Sequence, residues 1–196
     1  MAIPTYTFNS HLEDLAIFAA TSYRDQVEQL IISEDGGRYS SKLRKLADIY
    51  IYNNKNQSFT KNVNRGWRNA DGDYVMIVNS DTCLFHNGNL NDLCIKGKVT
   101  SPLIKNQHID RLAGPFFVVP KEVTKERGYL LEEMRTYCSD SEYDHRVKDI
   151  FQKVPSVEIY HEHAQTVRAL GIEGGKENER DRKIYEQLIQ KGRAAH

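Results

Sequence analysis

A continuous apolar run, Tyr74-Val75-Met76-Ile77-Val78, constrains the fold of this chain more than any other segment. A strand that is apolar at every position is buried on both faces, as a central strand is in a sheet covered by helices. Earlier segments alternate between strand-like runs and helix-like stripes: strands at 2–3, 30–32 and 49–52, and helices at 10–20, 43–47 and 59–70. This βαβαβ order predicts one α/β, Rossmann-like domain with a mostly parallel central sheet flanked by helices.

The second half of the chain has a less regular pattern. Strands are predicted at 99–103, 116–119 and 157–160, and a charged helix at 176–191. Val147, Ile150 and Val154 recur at helical spacing, which predicts an amphipathic helix from Glu142 to Lys153.

Composition excludes several classes of protein. The 196 residues include 27 basic and 27 acidic side chains, and a formal net charge of zero argues against nucleic acid as the main partner. The sequence contains no run of 18 apolar residues, so no integral membrane segment is predicted. No signal-peptide pattern is visible at the N-terminus. Cys83, Cys94 and Cys138 are odd in number and lack metal-type spacing, so we expect reduced thiols and a cytoplasmic protein.

Three polar segments follow predicted parallel strands: Pro4-Thr5-Tyr6, Glu34-Asp35-Gly36 and Asn79-Ser80-Asp81. In open parallel sheets, ligands bind beyond the carboxyl ends of the strands. A carboxylate placed there, such as Asp81, suits a hard divalent cation that bridges phosphates. The alternative is that Asp81 or Ser80 only caps the next turn.

A series of motifs resembles glycosyltransferase family 2, inverting enzymes with the GT-A fold. They occur in family order at 3–6, 33–37, 56–67, 70–74, 79–81, 114–119, 128–133 and 139–143, followed by Arg146, His161 and Thr166. The resemblance implies a single GT-A domain over residues 1–196. Residues 1–82 would form the nucleotide-sugar-binding half, 83–170 the acceptor side, and 171–196 a C-terminal helix.

The resemblance implies a nucleotide-sugar donor. The donor-binding residues would be Pro4, Thr5, Tyr6, Asp35, Asn56, Lys61, Asn64, Asn79, Ser80 and Asp81. Asp35 would accept a hydrogen bond from a pyrimidine N–H, which favours uridine or thymidine diphosphate sugars. A plain Asp-Gly turn is the alternative for Asp35.

A metal cofactor, Mn²⁺ or Mg²⁺, is also implied, with Asp81 as its ligand. Asn79 stands where the family usually has a first carboxylate, and an amide is the poorer ligand. His161 is a candidate further ligand, and His163 is its rival. A hydrogen-bonded structural histidine is the alternative.

Asp140 is the implied general base, placed just ahead of a predicted helix whose N-terminus favours a negative charge. Its alternative is a simple helix cap. Glu142 and Arg146 would bind the acceptor, although either is also an ordinary position in the first turns of a helix.

The predicted function is therefore an inverting, metal-dependent hexosyl- or related sugar transferase acting on a glycan, lipid-linked sugar, protein or, less favoured, a modified nucleic acid. A catalytically silent nucleotide-sugar-binding module is the alternative. A sugar-phosphate nucleotidyltransferase is disfavoured because residues 4–9 lack a Gly-rich phosphate loop.

Overall fold

The computed structural model describes residues 1–85, 88–162, 165–171 and 175–192. The strands are β1 (Ala2–Thr5), β2 (Ile31–Asp35), β3 (Ile49–Asn53), β4 (Tyr74–Val78), β5 (Thr82–Phe85), β6 (Val99–Ile104), β7 (Phe116–Pro120) and β8 (Phe151–His161). The helices are α1 (Ser10–Tyr23), α2 (Ser41–Leu46), α3 (Phe59–Arg68), α4 (Lys121–Arg127), α5 (Ser139–Val147), α6 (Gln165–Leu170) and α7 (Lys176–Gln190).

The strands form one sheet in the order β3-β2-β1-β4-β7-β6-β8-β5. Strands β1 to β4 run parallel to one another. Strand β7 lies between β4 and β6 and is antiparallel to both, so β6 has the same direction as β4, and β8 is parallel to β6. Six of the eight described strands therefore end at one edge of the sheet. The α/β class with a mostly parallel, helix-flanked sheet is confirmed.

The core has two parts, one on each face of the sheet, because consecutive residues of a strand point to opposite faces. Phe116 packs with Ile32 and other apolar residues on the face covered by α1 and α2. Its neighbour Phe117 packs with Trp67 and Tyr143 on the face covered by α3 and α5.

The predicted helix from Glu142 to Lys153 is wrong in its second part. Helix α5 ends at Val147, and β8 begins at Phe151, opposite Val99 of β6. The apolar spacing satisfies a helix as well, but a helix there would leave the edge of β6 without its parallel partner. The predicted strand at 157–160 is confirmed as part of β8, and β5, α4 and α6 were not predicted.

The described cysteines Cys83, Cys94 and Cys138 form no disulfide. Within the described ranges, no helix combines the length and apolar character needed to cross a membrane.

Trp67 provides a test of the core on the α3 side. Its side chain is buried and makes edge contacts with the rings of Phe117 and Tyr143 at centroid distances of 6.0 and 5.6 Å. We expect Trp67→Ala to lower the free energy of unfolding by about 3–5 kcal/mol in urea titrations. Phe18→Ala, at a side chain that is 61% exposed, is the control and should change it by less than about 0.5 kcal/mol.

Candidate active site

A cavity of about 530 Å³ lies at the edge of the sheet where the parallel strands end. The predicted site residues that line it are Pro4, Thr5, Tyr6, Asp35, Asn56, Asn79, Ser80, Asp81, Asp140 and His161. Residues far apart in sequence reach it because the loops after β1, β2, β4 and β8 all leave the sheet on this side. Asp35, Asp81 and Asp140 therefore share one cavity.

Asp35, the last residue of β2, is almost completely buried and already holds several protein donors. Its Oδ1 accepts hydrogen bonds from Asn53 and from both terminal nitrogens of Arg65, at 2.9 and 3.1 Å. Its Oδ2 accepts from the backbone N–H groups of Gln57 and Ser58. A carboxylate offers about four lone-pair positions, so these contacts leave little capacity for a further donor. Asp35 thus orders the loop that forms one wall of the cavity.

Glu34, one residue earlier, is a buried carboxylate beneath the loop after β1. It accepts hydrogen bonds from Thr5 Oγ1 at 2.7 Å and from the N–H of Thr7 at 2.9 Å. Burial raises the pKa of Glu34, and the hydrogen bonds from Thr5 and Thr7 oppose that rise. A Cβ on Gly37 would overlap Glu34 Oε1 and lie 2.5 Å from the backbone nitrogen of Thr7. The Glu34 carboxylate therefore has room in this position only because residue 37 carries no side chain.

Asp81 and His161 meet inside the cavity. Asp81 Oδ1 lies 3.2 Å from His161 Nε2, and Asp81 Oδ2 accepts from the backbone N–H of Gln165. His161 ends β8, where the side chain of Asn106 bonds both its backbone N–H and its carbonyl. Gln107 Nε2 lies 2.9 Å from His161 Nδ1 and so fixes the plane of the imidazole.

The donor set at this point fits a divalent cation. Neighbouring ligands of an octahedral ion with bonds of roughly 2.1 Å lie about 3 Å apart, which matches the separation of Asp81 Oδ1 and His161 Nε2. Asn79 Oδ1 is buried without a hydrogen-bond partner among the described residues. Within those residues, no group of three His, Cys, Asp or Glu side chains gathers. His163 lies outside the described residues.

Asp140 lies in the first turn of α5, which begins at Ser139, and not just ahead of the helix as predicted. The preceding residue, Cys138, has a φ of 63°, and this left-handed turn starts the helix earlier than the sequence pattern indicates. Asp140 Oδ2 accepts a hydrogen bond of 3.2 Å from the N–H of Gly114. Its side chain is 31% exposed and faces the cavity, with Arg111 Nη1 at 3.9 Å.

Two predicted donor-binding residues do not line the cavity. Asn64 is fully buried: its amide donates to the carbonyl of Leu130 and accepts from the N–H of the same residue, so it joins α3 to the loop before α5. Lys61 is exposed on α3. Asn64 therefore supports the site from outside the cavity, and no donor contact is proposed for either residue.

The predicted acceptor ligands Glu142 and Arg146 are likewise absent from the cavity wall. Glu142 is completely buried and accepts two hydrogen bonds of 2.7 Å from Arg146, which also donates to the carbonyls of Arg127 and Tyr129. Burial raises the pKa of Glu142, and Arg146 opposes that rise. The pair therefore ties α5 to the segment after α4, and no acceptor contact is proposed for it.

The cavity also contains residues that the sequence patterns do not single out. Asn62 lines it and donates from Nδ2 to the carbonyl of Thr5, holding the loop after β1 in place. Gln107, Thr136 and Glu177 line it as well. Glu177 belongs to α7, which follows the last recognisable family motif, so no spacing could have assigned it.

Comparisons with known proteins agree with this geometry. Residues 3–93 match the family model for glycosyl transferase family 2. A comparison with curated protein sequences gives no significant match.

Three solved structures have similar folds. The mannosyltransferase PcManGT from Pyrobaculum calidifontis, in complex with GDP-Man and Mn²⁺, gives a TM-score of 0.68 at 14% identity over 94% of this chain and 67% of that one. GalNAc-T7 with UDP, GalNAc and Mn²⁺ gives 0.67 at 11% identity over 82% and 42%. TarS from S. aureus (residues 1–349) gives 0.64 at 14% identity over 82% and 59%. The chain thus spans between 42% and 67% of the length of these proteins.

The chain therefore has the GT-A fold that these structures share, and its match to glycosyl transferase family 2 covers residues 3–93.

Replacing Arg146 should show how much the buried carboxylate of Glu142 lowers stability when it has no cationic partner. We expect Arg146→Ala to lower the free energy of unfolding at pH 7 by about 3–5 kcal/mol, because it leaves a buried carboxylate without its partner. The loss in free energy of unfolding should become smaller toward pH 4. At that pH Glu142 is largely protonated in the unfolded chain as well, so its raised pKa in the folded chain no longer costs stability.

Urea titrations at several pH values would measure this effect. The double variant Glu142→Leu/Arg146→Met, which removes both charges, should lose less stability than Arg146→Ala alone. A deficit that is the same at pH 4 and pH 7 would contradict this account of the pair.

Proposed function

We propose that this chain is an inverting, metal-dependent glycosyltransferase that moves a sugar from a nucleoside diphosphate donor to an acceptor hydroxyl. The observation that carries the proposal is the shared cavity: Asp81 and His161 lie on one part of its wall, Asp140 on another, and Pro4-Thr5-Tyr6 on a third. A donor with its cation, an acceptor and a base thus have places in one enclosed space.

The donor is proposed to be a uridine diphosphate sugar. The family resemblance favours this base, and the similar structure of GalNAc-T7 contains UDP, whereas that of PcManGT contains GDP-Man. Pro4, Thr5 and Tyr6 would form the base pocket through backbone groups and the ring face of Tyr6. Because the oxygens of Asp35 are occupied, its role would be to hold the neighbouring loop, with any base contact secondary.

Asp81 and His161 would hold Mn²⁺ or Mg²⁺, with Asn79 and Ser80 beside them facing the diphosphate and sugar. The bound cation would supply neutralisation of the charge that grows on the leaving diphosphate. Both similar structures with a nucleotide contain Mn²⁺. Imidazole suits Mn²⁺ better than Mg²⁺, so His161 favours manganese.

Asp140 would act as the general base. The acceptor oxygen attacks the anomeric carbon opposite the diphosphate, the bond from that carbon to the diphosphate oxygen breaks, and the hydroxyl proton passes to Asp140. Attack opposite the leaving group inverts the anomeric centre. The N–H of Gly114 donates a hydrogen bond to the Asp140 carboxylate in the first turn of α5 and so holds it in position for this role.

The acceptor is an alcohol whose parent molecule stays open: a glycan, a lipid-linked sugar, a protein or, less favoured, a modified nucleic acid. The sequence has no Gln-x-x-Arg-Trp motif and so does not resemble a processive polysaccharide synthase. We therefore propose that the chain transfers one sugar in each encounter with an acceptor.

Nucleotide binding tests the metal site. With UDP at about a hundred times its dissociation constant in the presence of Mn²⁺, the native state should gain roughly 2.7 kcal/mol, visible as a rise in melting temperature. Asp81→Ala and His161→Ala should each remove the part of that rise that depends on Mn²⁺. Asp92→Ala, at an exposed residue in the turn before β6, is the matched control. A rise that is equal with and without Mn²⁺ in the unmodified chain argues against metal dependence.

Asp140→Asn tests the proposed base. The rate of hydrolysis of UDP-sugars, with water as the acceptor, should fall by about 10²- to 10⁴-fold, while the affinity for UDP stays unchanged. Asp149→Asn, at a largely exposed carboxylate paired with Arg127, is the control and should keep the full rate. If the unmodified chain binds UDP but hydrolyses no UDP-sugar and transfers to no alcohol, the silent binding module becomes the better interpretation.

A further inference from the structure

The C-terminal helix α7 is attached to the segment that leads into the proposed base. Asp181 on α7 is completely buried, and its Oδ2 accepts hydrogen bonds from the backbone N–H groups of Thr136 and Tyr137 at 2.8 and 2.9 Å. Two backbone donors on one carboxylate oxygen fix the position of this segment relative to α7.

The segment fixed in this way forms part of the cavity wall. Residues 135–140 all line the cavity, and Asp140 is the last of them. Helix α7 therefore supports the wall on the side where an acceptor must approach Asp140, while the opposite parts of the wall belong to the proposed donor site.

Glu177, four residues before Asp181 on the same helix, is the residue of α7 that lines the cavity. Its Oε2 accepts a hydrogen bond of 3.0 Å from Thr136 Oγ1, which orients the carboxylate. Among the described residues, no hydrogen-bond donor or cation contacts Oε1. A half-buried carboxylate with one oxygen anchored and the other free is suited to accept a hydrogen bond from a ligand hydroxyl.

We propose that α7 forms the acceptor-binding wall and that Glu177 is an acceptor-binding residue, taking over the role that the sequence pattern gives to Glu142 and Arg146. The ligand class is a sugar with at least two hydroxyl groups within reach, one that loses its proton to Asp140 and a second that donates to Glu177. Asp181 is a positioning residue that acts through the backbone of Thr136 and Tyr137. This inference rests on the proposed function, because it needs the nucleotide to occupy the other part of the cavity.

The experiment measures donor and acceptor binding separately. UDP, TDP and GDP, each with Mn²⁺ and again with Mg²⁺, are titrated into the full chain by calorimetry. The chain saturated with the tightest of the three is then titrated with methyl glycosides of common hexoses and N-acetylhexosamines, observed by saturation-transfer NMR. The variants are Glu177→Ala and Glu177→Gln, and Glu179→Ala is the matched control on the same helix, where Glu179 is exposed and paired with Lys183.

We expect at least one methyl glycoside to bind the unmodified chain. Glu177→Ala should weaken that binding about tenfold or more, because a charge-assisted hydrogen bond is lost, and Glu177→Gln should weaken it less. Glu179→Ala should bind as the unmodified chain does, and the nucleoside diphosphate affinity should stay within about twofold in all variants.

A second pair of variants tests the attachment of α7. Asp181→Ala should weaken glycoside binding with little change in nucleotide affinity, whereas Asp181→Asn, which keeps an oxygen for the two backbone donors, should restore most of it. A merely structural role would lower nucleotide and glycoside affinity together and would not separate alanine from asparagine.

The outcomes separate this inference from the proposed function. Failure of all three nucleoside diphosphates to bind overturns the proposed function and this inference with it. Nucleotide binding together with unchanged glycoside affinity in Glu177→Ala overturns only the role of Glu177. Nucleotide binding with no methyl glycoside bound by the unmodified chain overturns the sugar as the acceptor class and leaves the donor site standing.

Discussion

The site depends on the common direction of six strands. Because β1, β2, β3, β4, β6 and β8 end at the same edge of the sheet, six loops converge there. Each brings a polar side chain to a cavity that no single segment could build. The reversal at β7 adds the loop of Gly114, whose N–H holds the Asp140 carboxylate. A register slip in any of these strands would move its loop along the edge and separate residues that must act on one ligand.

Buried charge in this protein is used mainly to hold loops. Four carboxylates are nearly or fully inaccessible to solvent: Glu34, Asp35, Glu142 and Asp181. The oxygens of each accept hydrogen bonds from backbone or side-chain donors of a neighbouring segment. The carboxylates with proposed ligand-binding roles, Asp81, Asp140 and Glu177, are the partly exposed ones in the cavity. This division explains why a carboxylate in a family-like motif need not bind a ligand here. Glu142, for example, lies in such a motif but holds a neighbouring segment in place.

Much of the first half of the fold could be predicted from sequence, because its strands are short apolar runs and its helices have clear stripes. The cavity could be anticipated from the same rule, since polar residues after parallel strands must share an edge. The second half resisted prediction. The stripe from Val147 to Val154 fits both a helix and a strand, and only pairing with β6 decides between them. The left-handed Cys138 that starts α5, and the burial of Glu142 against Arg146, depend on contacts distant in sequence.

The fit between Glu34 and Gly37 has a consequence for how this chain can diverge. A side chain at position 37 cannot be accommodated while the carboxylate remains, and the carboxylate loses both of its hydroxyl donors if Thr5 and Thr7 are replaced. These four positions are therefore coupled, because replacing one of them alone removes a contact or a space that the others need. Homologues should fall into discrete groups at this loop, with the threonines, the acid and the glycine inherited or lost together.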